Sequence, residues 1–294
     1  MIQIYGLYYK EGGYILTKKV LAVSLALLMS LLNMGTFTNV EAREKEVLPV
    51  EENVQYTPPQ EETPAEEASA EEVPAEAVEV TYEEQEVNKR VIDPTKPMVA
   101  LTFDDGPSKY TAEILKVLKE NNSVATFFVL GSEVNKYKDV LNQVIAEGNE
   151  IGNHSYNHKN LKTITDEELY KQVQGTDDLV YIASGYTPKV MRPPYGISDA
   201  ELNKKINKPI VKWSIDTLDW KNRDTDKVVA AVLNDVKDGD IVLMHDLYDS
   251  TAQAAKIIIP KLVEQGYQLV TVSEMSEYRD VTLTQGQQYY SMYK

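Results

Sequence analysis

Two histidines four residues apart, His154 and His158, are the first residues in the chain whose type and spacing suggest chemistry. This spacing can bring two imidazoles to one metal ion. The three residues between them include no glutamate, so the HExxH motif with its built-in base is absent. The adjacent pair Asp104 and Asp105 can supply a third ligand and a separate base. Taken alone, such histidines are more often surface or core residues, and aspartate pairs often cap helices.

The composition narrows the kinds of site that are possible. The chain has three histidines and no cysteine, so a histidine-based site draws on His154, His158 and His245, and thiolate chemistry is excluded. The net charge of −16 argues against a nucleic-acid-binding protein, which would show a basic patch. No glycine-rich phosphate-binding loop is present, so we expect no nucleotide cofactor.

The sequence pattern of residues 91–294 predicts the strands and helices that would position these side chains. Short apolar runs predict strands at 98–102, 125–130, 150–153, 190–191, 210–215, 241–244 and 268–272. Helical patterns alternate with them, at 111–121, 140–146, 167–182, 225–236 and 251–264. Such alternation favours parallel strands joined by helical crossovers. We therefore expect an α/β fold of about seven parallel strands that closes, or nearly closes, into a barrel, with an open doubly wound sheet as the alternative.

Polar residues follow most of these strands at their carboxyl ends. Beyond the aspartate pair and the histidines, they include Arg192, Tyr195, Asp216, Asp219 and Trp220. In parallel α/β folds the carboxyl ends of the strands share one face, where sites are built. Five segments that are distant in sequence are therefore expected to converge on one pocket.

Five short segments, taken in order, resemble the motifs of a known family. They are 102–106 (TFDDG), 154–158 (HSYNH), 192–195 (RPPY), 216–220 (DTLDW) and 243–245 (LMH). Together they are similar to the motifs of polysaccharide deacetylases with a NodB homology domain, carbohydrate esterase family 4, over about residues 98–272. The resemblance implies a distorted, partly irregular (β/α) barrel. It also implies one divalent metal ion, usually zinc, with cobalt or another divalent ion as alternatives.

The resemblance also implies a role for each site residue. The metal ligands would be Asp105, His154 and His158. Asp104 would be the general base, paired with Arg192, and His245 would be the general acid, paired with Asp216. For Arg192, a plain surface ion pair is the alternative.

Three further residues would bind the substrate. The resemblance implies that the backbone N–H of Tyr195 binds the oxyanion, and that Trp220 and Leu243 shape the pocket for the acetyl methyl group. Both Trp220 and Leu243 are also consistent with plain core positions. Asp219 is consistent with a structural role in a turn.

These roles match the demands of amide hydrolysis. A bound metal lowers the pKa of water enough to supply a nucleophile at neutral pH. The oxyanion needs positive partners, and the amine leaves only if it is protonated. We therefore predict hydrolysis of N-acetyl groups from N-acetylglucosamine residues of a polysaccharide, first of all peptidoglycan. The alternatives are a chitooligosaccharide or poly-N-acetylglucosamine deacetylase, an acetylxylan esterase, or a non-catalytic glycan-binding module.

The sequence of the first 90 residues predicts an export signal followed by a spacer that leads to the folded domain. Residues 1–42 contain a basic pair, an apolar run at 20–32 and a small-x-small tripeptide, as in a secretory signal, with an uncleaved membrane anchor as the alternative. Residues 43–90 are rich in Pro, Glu and Ala, and 43–88 carry 15 glutamates against two basic residues. Such a segment buries too little apolar surface to fold, so we expect a disordered acidic linker. The predicted location is extracytoplasmic in a bacterium, either secreted or associated with the wall or membrane.

Overall fold

The computed structural model describes residues 3–10, 13–20 and 90–294, which fall in two compact units. In the first unit, strands β1 (Gln3–Lys10) and β2 (Gly13–Val20) pair antiparallel as a hairpin. Apart from their end residues Val20 and Arg90, the predicted apolar run of the export signal and the acidic linker lie outside the described residues. Within the described part of the chain, no helix is long and apolar enough to cross a membrane.

The second unit, described from residue 90 onward, is an α/β fold with parallel strands, which confirms the predicted class. Its strands are β3 (Met98–Asp104), β4 (Thr126–Val129), β5 (Glu150–Asn153), β6 (Ile210–Val211), β7 (Ile215–Asp216), β8 (Ile241–His245), β9 (Gln268–Leu269) and β10 (Gln288–Tyr289). Its helices are α1 (Thr111–Glu120), α2 (Gly131–Val134), α3 (Lys138–Ala146), α4 (Asp166–Ser184), α5 (Ala200–Ile206), α6 (Asp219–Asn222), α7 (Thr225–Leu233), α8 (Asp249–Glu264) and α9 (Val272–Tyr278).

The strands form a curved, irregular ring rather than an open sheet. The main sheet has the order β5-β4-β3-β8-β7, and β9 pairs with the first residues of β3. Beyond β5 the ring continues through single parallel bridges at Met191 to β6, which pairs with β10. The residues after β10 return to the start of β8, where Asp240 forms an antiparallel bridge to Ser291. Every strand-to-strand ladder in residues 90–294 is parallel, as expected for helical crossovers.

The central strand β3 separates two buried layers because its side chains alternate. Val99, Leu101 and Phe103 belong to the cluster that packs against the helices, whereas Met98 and Ala100 belong to the cluster inside the ring. Continuing the alternation carries Thr102 and Asp104 to the inner face. The last residue of β3 is therefore a carboxylate that faces the interior at the carboxyl end of the ring.

The structure changes several predicted strands. The predicted strand at 190–191 is a single bridge at Met191, and the one at 210–215 is split into β6 and β7. The strand at 268–272 ends at Leu269, because Thr271 caps helix α9 with a capping box. The tyrosine-rich C-terminus contributes β10, which was not predicted.

A chain that begins at residue 89 is expected to unfold at the same midpoint as the full chain and to keep its turnover on soluble oligosaccharides. The reason is that Arg90 already ties the start of the domain to Leu269 O (2.8 Å) and Glu274 (2.7 Å). Replacing Arg90 by Ala in that shorter chain should cost about 1 kcal/mol of unfolding free energy. Thermal and denaturant unfolding measure the stability. A large fall in turnover on short substrates would show that the acidic segment contributes to the site.

Candidate active site

The predicted convergence at the carboxyl ends of the strands is present. Asp104 ends β3 and His245 ends β8, and these two residues are direct neighbours in the strand register. All the predicted site residues except Arg192 line one cleft of about 440 Å³. Arg192 is completely buried beside it. Its burial rules out the alternative of a surface ion pair.

The three predicted metal ligands lie close together, with both imidazoles near one carboxylate oxygen of Asp105. Asp105 Oδ1 lies 3.5 Å from His154 Nε2 and 3.6 Å from His158 Nε2. Ligands about 2.1 Å from one tetrahedral ion would be about 3.4 Å apart, so these separations suit a shared ion. Asp105 Oδ1 is buried and has no hydrogen-bond partner among the described residues. A buried anionic oxygen without a donor fits the site of a cation.

His154 is oriented and kept neutral for ligation. Its Nδ1–H donates to the backbone oxygen of Arg192 at 2.6 Å, which leaves the Nε2 lone pair facing Asp105. Burial lowers the pKa of His154 to about 3, against the opposing charge of Asp105. The imidazole is therefore uncharged at neutral pH, the form that binds a metal.

A strained loop presents the two histidines. The φ angles of Ser155 (73°) and His158 (61°) in this loop, and of Asp105 (73°) in the loop after β3, lie in the left-handed region, which is uncommon for residues other than glycine. Side-chain caps hold the loop, because the Ser155 N–H donates to Asn153 Oδ1 and the His158 N–H donates to Ser155 Oγ. Strain of this kind persists where the surroundings enforce it, and it clusters at functional sites.

The Asp104 carboxylate is held by Arg192 in the interior of the ring. Arg192 Nη1 donates to Asp104 Oδ1 and to Thr102 Oγ1, both at 2.7 Å, and its other nitrogens donate to the backbone oxygens of Val211 and Lys212. Burial raises the pKa of Asp104, and the guanidinium of Arg192 opposes the rise. Burial therefore outweighs the guanidinium in setting the pKa of Asp104. A raised pKa makes the carboxylate a stronger proton acceptor.

His245 is paired with Asp219. His245 Nδ1–H donates to Asp219 Oδ1 at 2.8 Å, and the His245 backbone N–H donates to Asp219 Oδ2 at 2.7 Å. Thr251 Oγ1 donates to the same Oδ2 at 2.7 Å. Burial lowers the pKa of His245, but the hydrogen bond and charge of Asp219 outweigh it and raise the pKa to about 9. His245 is therefore protonated at neutral pH, with Nε2–H available to the cleft.

The predicted pairing of His245 with Asp216 is wrong. Asp216 ends β7 opposite Leu243 in the register, two residues before His245, and its Oδ1 accepts the N–H of Leu218. Leu218 has a left-handed backbone (φ 53°), and this turn places Asp219 at the start of helix α6, fully buried against His245. Asp216 lines the cleft without being the partner of the histidine.

The three predicted substrate-binding residues lie at the cleft but differ in exposure. Tyr195 and Trp220 are 63% and 46% exposed and form its rim, whereas Leu243 is 4% exposed. The ring of Tyr195 meets the ring of His158 edge-on, with centroids 4.4 Å apart. The backbone of Tyr195 is left-handed (φ 60°). Its predicted role as an oxyanion donor stays a prediction.

Sequence reasoning missed two aromatic residues of the cleft, Trp213 and Tyr248. Trp213 lies in the break between β6 and β7, which was predicted to be continuous strand. Tyr248 is the N-cap residue of α8, three residues after His245. The scarcity of tryptophan in the chain, two residues in all, was the available signal for Trp213.

The sequence is similar to those of known polysaccharide deacetylases. The sequence model described as "Polysaccharide deacetylase" matches residues 92–210. The chain is 44% identical over 190 residues to the peptidoglycan-N-acetylmuramic acid deacetylase PdaC of Bacillus subtilis, covering 64% of this chain and 41% of PdaC. It is 42% identical over 182 residues to the peptidoglycan-N-acetylglucosamine deacetylase PgdA of Listeria monocytogenes, covering 62% and 39%. A peptidoglycan-N-acetylglucosamine deacetylase of Bacillus cereus is 38% identical over 188 residues, covering 61% and 68%.

Solved structures show the same fold. The structure of PdaC from Bacillus subtilis superimposes with a TM-score of 0.63 at 44% identity, covering 64% of this chain and 94% of that one. A family 4 acetyl xylan esterase from Clostridium thermocellum, in complex with a cobalt ion, gives 0.63 at 33% identity, covering 66% and 98%. The chain belongs to the polysaccharide deacetylases of carbohydrate esterase family 4, with a NodB homology domain. It spans about two fifths of the length of PdaC and PgdA.

Replacing His154 by Ala should abolish metal binding and activity together, because one of three ligands is lost. Replacing Asp104 by Asn should keep the metal and lower the turnover at least about a hundredfold, because only the proton acceptor is lost. Elemental analysis and an acetate-release assay measure the two effects. Stoichiometric metal in the folded His154→Ala variant would contradict the ligand assignment.

The pH profile separates the two candidate partners of His245. With His245 as the predicted general acid, kcat/KM should fall as the pH rises through about 9, because the acid form is lost there. Asp219→Asn removes the charge that raises this pKa, so the alkaline limb should move to lower pH. Asp216→Asn is the matched control and should leave the limb in place. A limb that moves with Asp216→Asn and not with Asp219→Asn would restore the original pairing.

Proposed function

We propose that this chain hydrolyses the N-acetyl amides of N-acetylglucosamine residues in peptidoglycan, with one zinc ion held by Asp105, His154 and His158. The proposal rests on the two titratable residues that lie next to this triad. A buried carboxylate, Asp104, and a protonated imidazole, His245, end neighbouring strands beside the triad. A module that only binds glycans has no need of a proton acceptor and a proton donor in addition to a metal site.

The reaction follows from the placement of these groups. A divalent ion at this site would supply Lewis acidity toward the acetyl carbonyl and a lowered pKa for water. Asp104 accepts the proton of the attacking water, and the Tyr195 N–H donates to the oxyanion. As the carbon–nitrogen bond breaks, His245 Nε2–H gives its proton to the amine. The products are acetate and a free glucosamine.

The acid and the base are distinguished by their surroundings. Asp219 keeps His245 charged at neutral pH, with a pKa of about 9. Burial raises the pKa of Asp104, while Arg192 favours its ionised form. One group that is protonated at neutral pH and one that is favoured in its ionised form are what acid–base catalysis requires.

The walls of the cleft suit a sugar. Trp213, Trp220, Tyr195 and Tyr248 all line it, and aromatic faces of this kind pack well against pyranose rings. The similar Bacillus and Listeria proteins are named peptidoglycan deacetylases, for either N-acetylglucosamine or N-acetylmuramic acid. Both kinds of name support the cell wall as the substrate.

We also propose an extracytoplasmic location. The basic pair, apolar run and small-x-small tripeptide of residues 1–42 support export, and the acidic segment 43–90 supports a spacer between that signal and the domain. Peptidoglycan lies on that side of the membrane.

A second candidate is removal of O-acetyl groups from xylan, which the similarity to the Clostridium thermocellum esterase favours. An ester needs less protonation of its leaving group than an amide does. The protonated His245, held by a buried carboxylate, is therefore better explained by an amide substrate.

Mass spectrometry of glycan fragments before and after incubation with the metal-loaded protein tests the function. The expected result is the loss of one acetyl mass from N-acetylglucosamine units of peptidoglycan. His245→Ala should slow this amide hydrolysis more than the hydrolysis of an activated acetyl ester. Hydrolysis of acetylated xylan alone, with peptidoglycan untouched, would contradict the proposal and support the esterase.

A further inference from the structure

Arg223 lies at the end of helix α6, the short helix that carries Trp220 into the cleft. Its backbone is left-handed (φ 51°), and its N–H donates to Asp219 O at 3.0 Å. Its Nε donates to the backbone oxygen of Trp220 at 3.1 Å. These bonds fix an exposed side chain against two residues of the site.

The guanidinium of Arg223 stacks on the ring of Tyr248. Its central carbon lies 3.6 Å from the ring centroid, and Tyr248 lines the cleft. Stacking uses the face of the guanidinium and leaves its edge, with the Nη donors, open to a planar anion. A carboxylate is the group whose geometry matches that edge.

Arg223 lacks the partner that every other arginine of residues 90–294 has. Arg90 pairs with Glu274, Arg192 with Asp104, and Arg279 with Asp238. In that part of the chain no carboxylate oxygen lies within 4.0 Å of the Arg223 nitrogens.

The carboxylates on either side of Arg223 that belong to the neighbouring turns, Asp219 and Asp224, are engaged elsewhere. Asp219 accepts from His245, and Asp224 caps helix α7 and pairs with Lys227. The structure therefore holds a fixed cation beside an otherwise acidic cleft, with its anion-binding edge unused.

We propose that Arg223, stacked on Tyr248, forms a subsite for the carboxylate of an acidic sugar next to the sugar that is deacetylated. In peptidoglycan this group is the lactyl carboxylate of a neighbouring muramic acid that carries no stem peptide, because attachment of the peptide converts this carboxylate into an amide. The inference rests on the proposed function and deepens it, because it makes the enzyme selective for acidic N-acetylated glycans over neutral ones such as chitin oligomers.

The test compares two soluble tetrasaccharides without peptide. One alternates N-acetylglucosamine with N-acetylmuramic acid, and the other is neutral chitotetraose. Arg223→Gln should raise KM for the acidic glycan about tenfold, the scale of one lost charged hydrogen bond, and leave kcat nearly unchanged. Kinetics on chitotetraose should not change. Lys221→Gln removes an exposed positive charge two residues away and is the matched control, expected to alter neither substrate.

Three results would overturn the subsite. Equal losses on both glycans would show that Arg223 only supports Trp220 and Tyr248. An unchanged KM on the acidic glycan would show that the cation is unused. If peptide-bearing fragments are assayed as a third substrate, a loss seen only with them would assign the cation to a peptide carboxylate instead.

A binding measurement separates this inference from the proposed function. Calorimetry in the Asp104→Asn background, with and without Arg223→Gln, reports binding of the acidic tetrasaccharide without turnover. Weaker binding caused by Arg223→Gln supports the subsite even if the unaltered protein deacetylates neither glycan, a result that would refute the proposed function. Equal binding of the two proteins would overturn the subsite.

Discussion

The site depends on one buried oxygen, Asp105 Oδ1, which has no hydrogen-bond donor in the described part of the chain and faces two imidazole nitrogens. A buried carboxylate oxygen without a donor is costly, so a bound cation would stabilise this arrangement. The left-handed backbones of Asp105 and His158 and the bond from His154 to Arg192 all maintain the same geometry. Metal binding and the stability of these loops should therefore be coupled.

Burial acts on both proton carriers, and their partners decide the outcome. It raises the pKa of Asp104 despite Arg192, which strengthens the carboxylate as a base. It would lower the pKa of His245, but Asp219 reverses that effect and keeps the imidazole charged. The difference between the proton donor and the proton acceptor therefore depends on the buried carboxylate of Asp219, and not on residue type alone. Asp219 is itself held by a hydrogen bond from Thr251.

How much could be predicted depended on the range of the interactions involved. The clustering of Asp105, His154 and His158 was predictable because strand ends converge and the motif spacings are local. The partner of His245 was not, because the choice between Asp216 and Asp219 depends on the left-handed turn at Leu218. Strand β10 was missed because it is two residues long and forms only against β6, far away in sequence. The export signal and the linker stay predictions, because residues 21–89, which include nearly all of the apolar run and of the acidic segment, lie outside those described.

The most direct test of the metal centre is X-ray absorption spectroscopy at the zinc edge of the zinc-loaded protein. We expect two imidazole nitrogens at about 2.0–2.1 Å from the zinc ion, completed by oxygen donors at about 2.0–2.2 Å. The outer-shell scattering of two histidine rings should be visible. A coordination shell made only of oxygen, with no imidazole scattering, would contradict the assignment of Asp105, His154 and His158 as the metal centre.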